Sequence, residues 1–256
     1  MQDLSLVIVA KDEERTIRQV LEAARPLCRE LIVVDSGSSD RTVEIAREMG
    51  AQCYHQEWLG YAAQKNFAIS LAKCEWILSL DADEILTREL VSELSETLAR
   101  KDLASFEGFR LPRILFIGEH ALTHGGFFPD AQLRLFRRGK GAFNERRVHE
   151  AVKLTGKVGA LKNPMLHRAY PDLSAYSKAL DNYALLSAEE FDARGYSVWK
   201  TSRLNESLHP WWTFAYRFIG RAGFLDGKIG LQANWIYKDY VRKKIVYLRQ
   251  RAERAN

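Results

Sequence analysis

Long apolar runs are absent from this 256-residue chain. No segment reaches the roughly 20 uncharged residues that a membrane-spanning helix needs. Only the short apolar run 4–10 precedes Lys11-Asp12-Glu13-Glu14-Arg15, so the basic start and long apolar core of a secretory leader are missing too. Cysteine is scarce. Cys28, Cys53 and Cys74 form an odd set with no Cys-x-x-Cys pair, each in or beside an apolar segment. That pattern argues against a disulfide framework and for buried, reduced thiols in a cytoplasmic protein. Neither internal repeats nor a low-complexity linker interrupts the chain, which leaves a boundary near residue 172 soft.

What is present suffices for a sizeable core. At 46% hydrophobic residues the chain can build one large α/β domain, or a core domain with an appendage. Charge is unevenly placed. Residues 194–256 carry 13 Lys or Arg against 4 Asp or Glu, a net of +9, so the rest of a chain with a total of +5 is net −4. The same basic quarter holds Trp199, Trp211, Trp212 and Trp235, interleaved with further Phe and Tyr. Cations mixed with amphipathic rings suit the headgroup layer of an anionic membrane; nucleic acid is the rival partner for such a surface. Packing of the aromatics onto the core, with the charges merely solvated, is the simpler alternative.

The first half alternates between short apolar runs and amphipathic periods. Residues 5–10 read as a strand, followed by a helix in which Ile17, Val20, Leu21 and Ala24 recur at i, i+3, i+4 and i+7 until Pro26. A second strand at 31–34 ends in Asp35-Ser36-Gly37-Ser38-Ser39-Asp40, and a helix from about 41 to 49 is closed by Gly50 as a left-handed cap. A strand at 51–55, a helix around 62–72 and a strand at 76–80 complete a pattern that predicts a mostly parallel sheet covered on both faces. Further on, 108–117, 132–136 and 147–154 read as strands between loops that would cover a site. Helical periodicity returns from 173 to about 194, after Pro210 through 219, and from 229 to 249.

The run Trp76-Ile77-Leu78-Ser79-Leu80 ends in Asp81-Ala82-Asp83-Glu84, three closely spaced carboxylates. In an open α/β sheet the carboxyl end of such a strand borders the ligand crevice, and Asp81 and Asp83 would meet there on one side. Paired carboxylates call for a cation between them. A hard divalent ion holding a diphosphate fits, whereas an isolated Asp-x-Asp is more often a solvated junction.

Taken together, Ser5-Leu6-Val7-Ile8-Val9-Ala10-Lys11-Asp12-Glu13-Glu14, Val33-Val34-Asp35-Ser36-Gly37-Ser38-Ser39-Asp40-Arg41-Thr42, Gln64-Lys65-Asn66 and Asp81-Ala82-Asp83-Glu84 resemble a family 2 glycosyltransferase with the GT-A fold. Trp58-Leu59-Gly60, Val148-His149-Glu150 and Gly223-Phe224-Leu225-Asp226-Gly227 are similar to bacterial lipopolysaccharide core β-1,4-glucosyltransferases of the WaaE/KdtX and LgtF type. Asp12 departs from that pattern, which usually has Asn there. The resemblance implies a Rossmann-like, mostly parallel nucleotide-binding sheet over residues 1–172, with a nucleotide-sugar half (1–100) and an acceptor half (101–172). A helical, basic-aromatic extension (173–256) follows, with possible membrane-surface contact.

By the same resemblance the chain moves a hexose, glucose from UDP-glucose, with inversion onto a heptose of the lipopolysaccharide inner core. It would do so with Mg²⁺ or Mn²⁺, peripherally on the cytoplasmic face of the inner membrane, without nucleic acid. Another UDP-sugar passed to a different lipid-linked glycan, or a non-catalytic scaffold on the same fold, are the alternatives. Asp35 would bind uracil, Glu13 and the Ala10 backbone would frame the nucleotide, and Asp81 would contact ribose or metal. Asp83 and the late His167 would ligate the metal. Lys65 could meet phosphate as a point charge, or equally be a solvated helix cation. Glu150 would be the base that takes the acceptor proton, with Glu145 as alternate.

Other residues carry weaker signals. His120 and His124 are spaced like a zinc pair, but Gly125-Gly126 argues for a loop. Arg134, Arg137, Arg138, Arg146 and Arg147 could engage phosphate or lie on a solvated strand face. A sugar-phosphate nucleotidyltransferase would need a Gly-rich, cation-bearing loop after the first strand, and none is there.

Overall fold

The computed structural model describes residues 2–144, 152–192 and 202–255. Its first half runs β1 (Gln2–Ala10), α1 (Ile17–Ala24), β2 (Cys28–Asp35), α2 (Thr42–Glu48), β3 (Gln52–His55), α3 (Tyr61–Ser70), β4 (Trp76–Asp81), β5 (Glu84–Leu86) and α4 (Arg88–Leu98). Short strands follow among the described residues: β6 (Gly108–Leu111), β7 (Arg113–Ile117), β8 (His120–Leu122), β9 (Gln132–Arg137), β10 (Ala142–Phe143), β11 (Val152–Lys153), β12 (Val158–Ala160) and β13 (Met165–Tyr170). Among the described residues, helices α5 (Leu173–Asp192), α6 (Arg203–Ala215) and α7 (Gly227–Ala255) follow. It divides into two compact units, residues 1–114 with 130–168, and residues 115–129 with 169–256.

The first unit is built on a seven-stranded sheet in the order β12-β6-β9-β4-β1-β2-β3. Strands β3, β2, β1 and β4 are mutually parallel, and β9 inserts antiparallel to both β4 and β6. Alternation along β1 explains the two-sided burial. Leu4, Leu6 and Ile8 join one apolar layer with α1 and α4, while Val7 joins the other with Ala62 and Ala68 of α3. Fully burying each large aliphatic of this kind stabilises by about 1.5–3 kcal/mol. Register then fixes the site: Ala10 pairs with Asp35, and Val9 with Asp81, so the carboxyl ends of β1, β2 and β4 finish side by side.

Two readings of the sequence are corrected in detail. The stretch 108–117 is two strands, because Pro112 cannot donate to a ladder. Helix α6 begins at Arg203 and contains Pro210, rather than starting after it. Ser202 caps it, its Oγ accepting from Asn205 N at 3.1 Å, so the cap rather than Pro210 sets where the helix begins. Of the expected strand 147–154 only Val152–Lys153 falls among the described residues as strand.

In the second unit α5 and α6 both pack along α7. Tyr176, Leu180 and Ala233 bury against Ile117, Leu122 and Phe127 of the inserted segment. Asp226 ties that segment down: its side chain, 3% exposed, accepts from Thr123 N, Thr123 Oγ1 and His124 N, and pairs with His124 Nδ1 at 2.9 Å. No helix among the described residues is long and apolar enough to cross a membrane.

Candidate active site

The loops after β1 and β2 are zipped together by short polar residues. Asp12 N donates to Ser38 Oγ (2.9 Å), Ser39 N to Asp12 Oδ1 (2.7 Å), Glu13 N to Thr42 Oγ1 (2.7 Å) and Glu14 N to Asp40 Oδ2 (3.1 Å). Asp12 is left-handed, φ +56°, a conformation that Asn and Asp adopt more readily than other side chains. That accounts for an Asp where the resemblance has Asn: the backbone demand is the same, and either side chain offers the oxygen that Ser39 N needs. Ser36 N donates to Ala10 O at 3.0 Å, closing the strand ends.

Asp35, buried at the end of β2, accepts from Gly37 N (2.9 Å) and from Ser38 N and Oγ. His55 Nδ1 stands 3.8 Å from the same carboxylate. Gly37, at φ +89°, supplies the turn. Gln64, wholly buried on α3, donates to Ser36 Oγ (3.0 Å) and Gln56 O (2.9 Å) and accepts from Leu59 N (3.2 Å). Asn66 exchanges two hydrogen bonds with the Phe143 backbone. Thus the Gln64-Lys65-Asn66 triplet ties loops on either side of the lysine.

At the tip of β4, Asp81 is neutralised by cations of the protein itself. Lys65 Nζ lies 2.7 Å from Oδ1 and Arg134 Nη2 2.5 Å from Oδ2. Arg134 continues to Glu84 Oε1 (2.7 Å), Glu84 to Arg113 Nη1 (2.8 Å), and Arg113 to Asp130 (2.6 Å). Charges alternate along this chain, and Glu84 at its centre is fully buried. Burial pushes the Asp81 carboxyl up, but Arg134 and then Lys65 pull it well below the ordinary carboxylate range. Arg134 suffers the cost of burial yet is held charged by Asp81 and Glu84.

Asp83 behaves differently. It sits in the turn between β4 and β5, its backbone carbonyl accepting from Arg168 N (2.9 Å), and its Oδ2 lies 3.3 Å from His167 Nε2 on β13. Both side chains are largely buried, 20% and 15% exposed. Glu13 is near enough to feel them. Its carboxyl is pushed up to about 7, first by burial and then by the charge of Asp83, with Asp40 and Asp81 adding to it. The pocket therefore carries surplus negative charge. A carboxylate and an imidazole of this kind match the donors that Mn²⁺ or Mg²⁺ accepts, and a cation would relieve Glu13. Among the described residues no three His, Cys, Asp or Glu converge as a ready metal cage.

The structure thus brings Ala10, Glu13, Asp35, Lys65, Asp81, Asp83 and His167 to the strand ends of the first unit. Glu150 and Glu145 lie outside the described residues, as do Arg146 and Arg147. The three described arginines of the expected phosphate cluster already have protein partners. Arg134 is in the ion chain, Arg137 stacks over Trp76 and bonds Glu75, and Arg138 donates to Cys74 O. His124 belongs to Asp226, not to a zinc pair. Sequence reasoning missed Glu84, Arg113, Arg134 and Gln64 as parts of the site's frame. A charged residue inside the apolar run Leu133-Arg134-Leu135-Phe136 was the signal, since an isolated charge is not buried without a partner.

This is the architecture of a GT-A glycosyltransferase. Residues 5–141 match the glycosyl transferase family 2 domain, and the chain belongs to that family. An uncharacterized glycosyltransferase of Rickettsia typhi is 35% identical over 90% of this chain and 83% of its own length. The lipopolysaccharide core biosynthesis glycosyltransferase LpsC of Rhizobium meliloti is 33% identical over 64% of this chain and 62% of its own. A crystal structure of glucosyl-3-phosphoglycerate synthase from Mycobacterium tuberculosis with phosphoglyceric acid superposes with a TM-score of 0.51 at 17% identity, covering 73% of this chain and 78% of that one. At that identity the likeness speaks for the fold.

Proposed function

We propose that the chain is a metal-dependent, inverting hexosyltransferase, of the WaaE/KdtX and LgtF type, that moves glucose from UDP-glucose to a heptose of the lipopolysaccharide core. The observation that carries this reading is the Asp83–His167 pair at the level ends of β1, β2 and β4, beside a Glu13 raised first by burial and then by the charge of Asp83. The LpsC relative supports the acceptor class by its name.

In this reading the catalytic domain spans 1–172, the nucleotide is framed by the Ala10 backbone, Glu13 and Asp35, and Asp83 with His167 holds Mg²⁺ or Mn²⁺. When bound, the ion offsets the charge that develops on the departing diphosphate. Asp81 holds Lys65 at the site through their 2.7 Å ion pair, and the ammonium stands ready as a point charge for phosphate. Glu150 takes the proton of the acceptor hydroxyl. That oxygen bonds to the anomeric carbon while the carbon–oxygen bond to the diphosphate breaks and its electron pair leaves with UDP. The acceptor is lipid-linked, so the enzyme works peripherally at the cytoplasmic face of the inner membrane.

A screen of UDP- and ADP-sugars for slow metal-dependent hydrolysis tests the donor without needing an acceptor. UDP-glucose is expected to be preferred, and Asp83→Ala to abolish turnover. Glu150→Gln is expected to keep donor binding and lose transfer. Transfer at the parental rate by Glu150→Gln would remove the assigned base, and preference for another UDP-sugar would reassign the donor.

A further inference from the structure

The apolar stripe of α6 faces away from the core. Leu204, Leu208, Trp212, Tyr216 and Ile219 recur at helical spacing and are 55%, 59%, 69%, 51% and 67% exposed. Amphipathic helices of globular domains bury such a stripe. The exposed surface continues past the helix. A π-turn (Tyr216–Gly220) closes with Arg221 N donating to Tyr216 O, and the 3₁₀ turn Gly223–Asp226 then presents Phe224 and Leu225, 50% and 60% exposed. Rings link these pieces: Trp211 with Trp235 (5.6 Å), Phe214 with Phe218 (5.3 Å) and Phe218 with Phe224 (6.3 Å). The buried ammonium of Lys238 lies 4.5 Å from the Trp211 ring and 3.6 Å from that of Trp235, which fixes both indoles.

The corner is held rigidly. A Cβ on Gly223 would stand 2.8 Å from Asn234 Nδ2 and 3.1 Å from Gly125 Cα, so the two glycine backbones meet where no side chain fits. Arg217 donates to Asn234 Oδ1 at 3.1 Å and stacks on Phe127 and Tyr237. Asp226 anchors the far end of the turn through Thr123 and His124.

Charge identifies the occupant. Within 203–235 the only acids are Glu206, paired with Arg249 and 3.7 Å from Arg242, and the buried Asp226. Arg203, Arg221 and Lys228 are exposed at or beyond the ends of the stripe. A second copy packed on this face by a two-fold axis would bring like charges together. A layer of anionic headgroups over acyl chains offers the opposite charge and an apolar bed for the rings.

We infer that α6 and the turn 216–226 lie in the plane of an anionic bilayer surface, with Trp212, Ile219, Phe224 and Leu225 inserted among the acyl chains and the cations at headgroup level. This deepens the peripheral-membrane part of the proposed function and rests on that reading only for location. Nothing in it depends on the transfer chemistry.

Co-sedimentation of the full chain with phosphatidylcholine vesicles, with and without phosphatidylglycerol, tests it alongside donor hydrolysis in lipid-free buffer. Binding is expected with phosphatidylglycerol and to weaken with salt. Trp212→Ser/Ile219→Ser and Arg221→Glu/Lys228→Glu are each expected to lower it by about tenfold or more while hydrolysis is unchanged. Three results would overturn the inference: no vesicle binding by the parent, equal binding by the variants, or lipid-free dimers that the same substitutions dissociate. Loss of hydrolysis with vesicle binding intact would instead count against the enzymatic reading alone.

Discussion

Arg134 Nη2 lies 2.5 Å from Asp81 and 2.7 Å from the fully buried Glu84, so one guanidinium joins the tip of β4 to the first residue of β5. Among the described residues, removing it leaves the water-excluded Glu84 paired with Arg113 alone and Asp81 with Lys65 alone. Arg134→Met is expected to destabilise the chain by about 3–5 kcal/mol, the usual consequence of breaking a buried pair from one side. Urea unfolding measures it. The double variant Arg134→Met/Glu84→Gln should recover a substantial part, and no recovery would show that packing, not charge, holds this junction.

Asp83 and His167 should separate from Asp81 in metal dependence. Calorimetry is expected to show that Asp83→Asn removes the Mn²⁺-dependent part of UDP binding and that His167→Ala weakens it. Asp81→Asn should chiefly cost stability, because its oxygens already serve Lys65 and Arg134. Undiminished metal dependence in Asp83→Asn would refute the assignment.

Glu13 gives a pH dependence with a definite sign. Its carboxyl is raised from 4.5 to about 7 in the folded chain. A raised acid favours the protonated form on folding, so its penalty is absent below 4.5, grows from there to about 7 and is full above that. Metal-free Glu13→Gln should therefore melt higher than the parent at pH 8, and the difference should vanish by pH 4. A difference that is the same at both pH values would mean that the raised pKa is not what acts. Saturating Mn²⁺ is expected to narrow the gap at pH 8 by stabilising the charged form.

Asp12 tests the loop zipper. With φ at +56° and its Oδ1 accepting from Ser39 N, Asp12→Asn should be nearly neutral. Asp12→Ala loses the hydrogen bond and strains the backbone, for a combined cost of about 2 kcal/mol. Thermal denaturation at fixed pH compares the two. Equal loss in both would show that the carboxylate charge matters rather than its geometry.

Much of the frame was legible locally. Apolar runs of strand length at 5–10, 31–34 and 76–80 and the helical period of Ile17, Val20, Leu21 and Ala24 reappear as β1, β2, β4 and α1. The left-handed cap expected at Gly50 is there, φ +78°. The reversal of β9 was not legible. Its alternating residues satisfy an antiparallel ladder as well as a parallel one, and Arg134 reads equally as a phosphate ligand or a solvated strand cation, because its partners lie 53 and 50 residues away.

The sequence by itself determined the strand–helix order, the acidic strand ends and the basic, aromatic character of the C-terminal quarter, because each is written in neighbouring residues and in periods of two or 3.6. Only the tertiary structure decided that Asp81 is answered by Lys65 and Arg134 while Asp83 faces His167, and that the apolar stripe of α6 turns outward. The reason is physical. Ion pairing and burial depend on which distant segments meet, and a periodic pattern states that a face is apolar without stating what it meets.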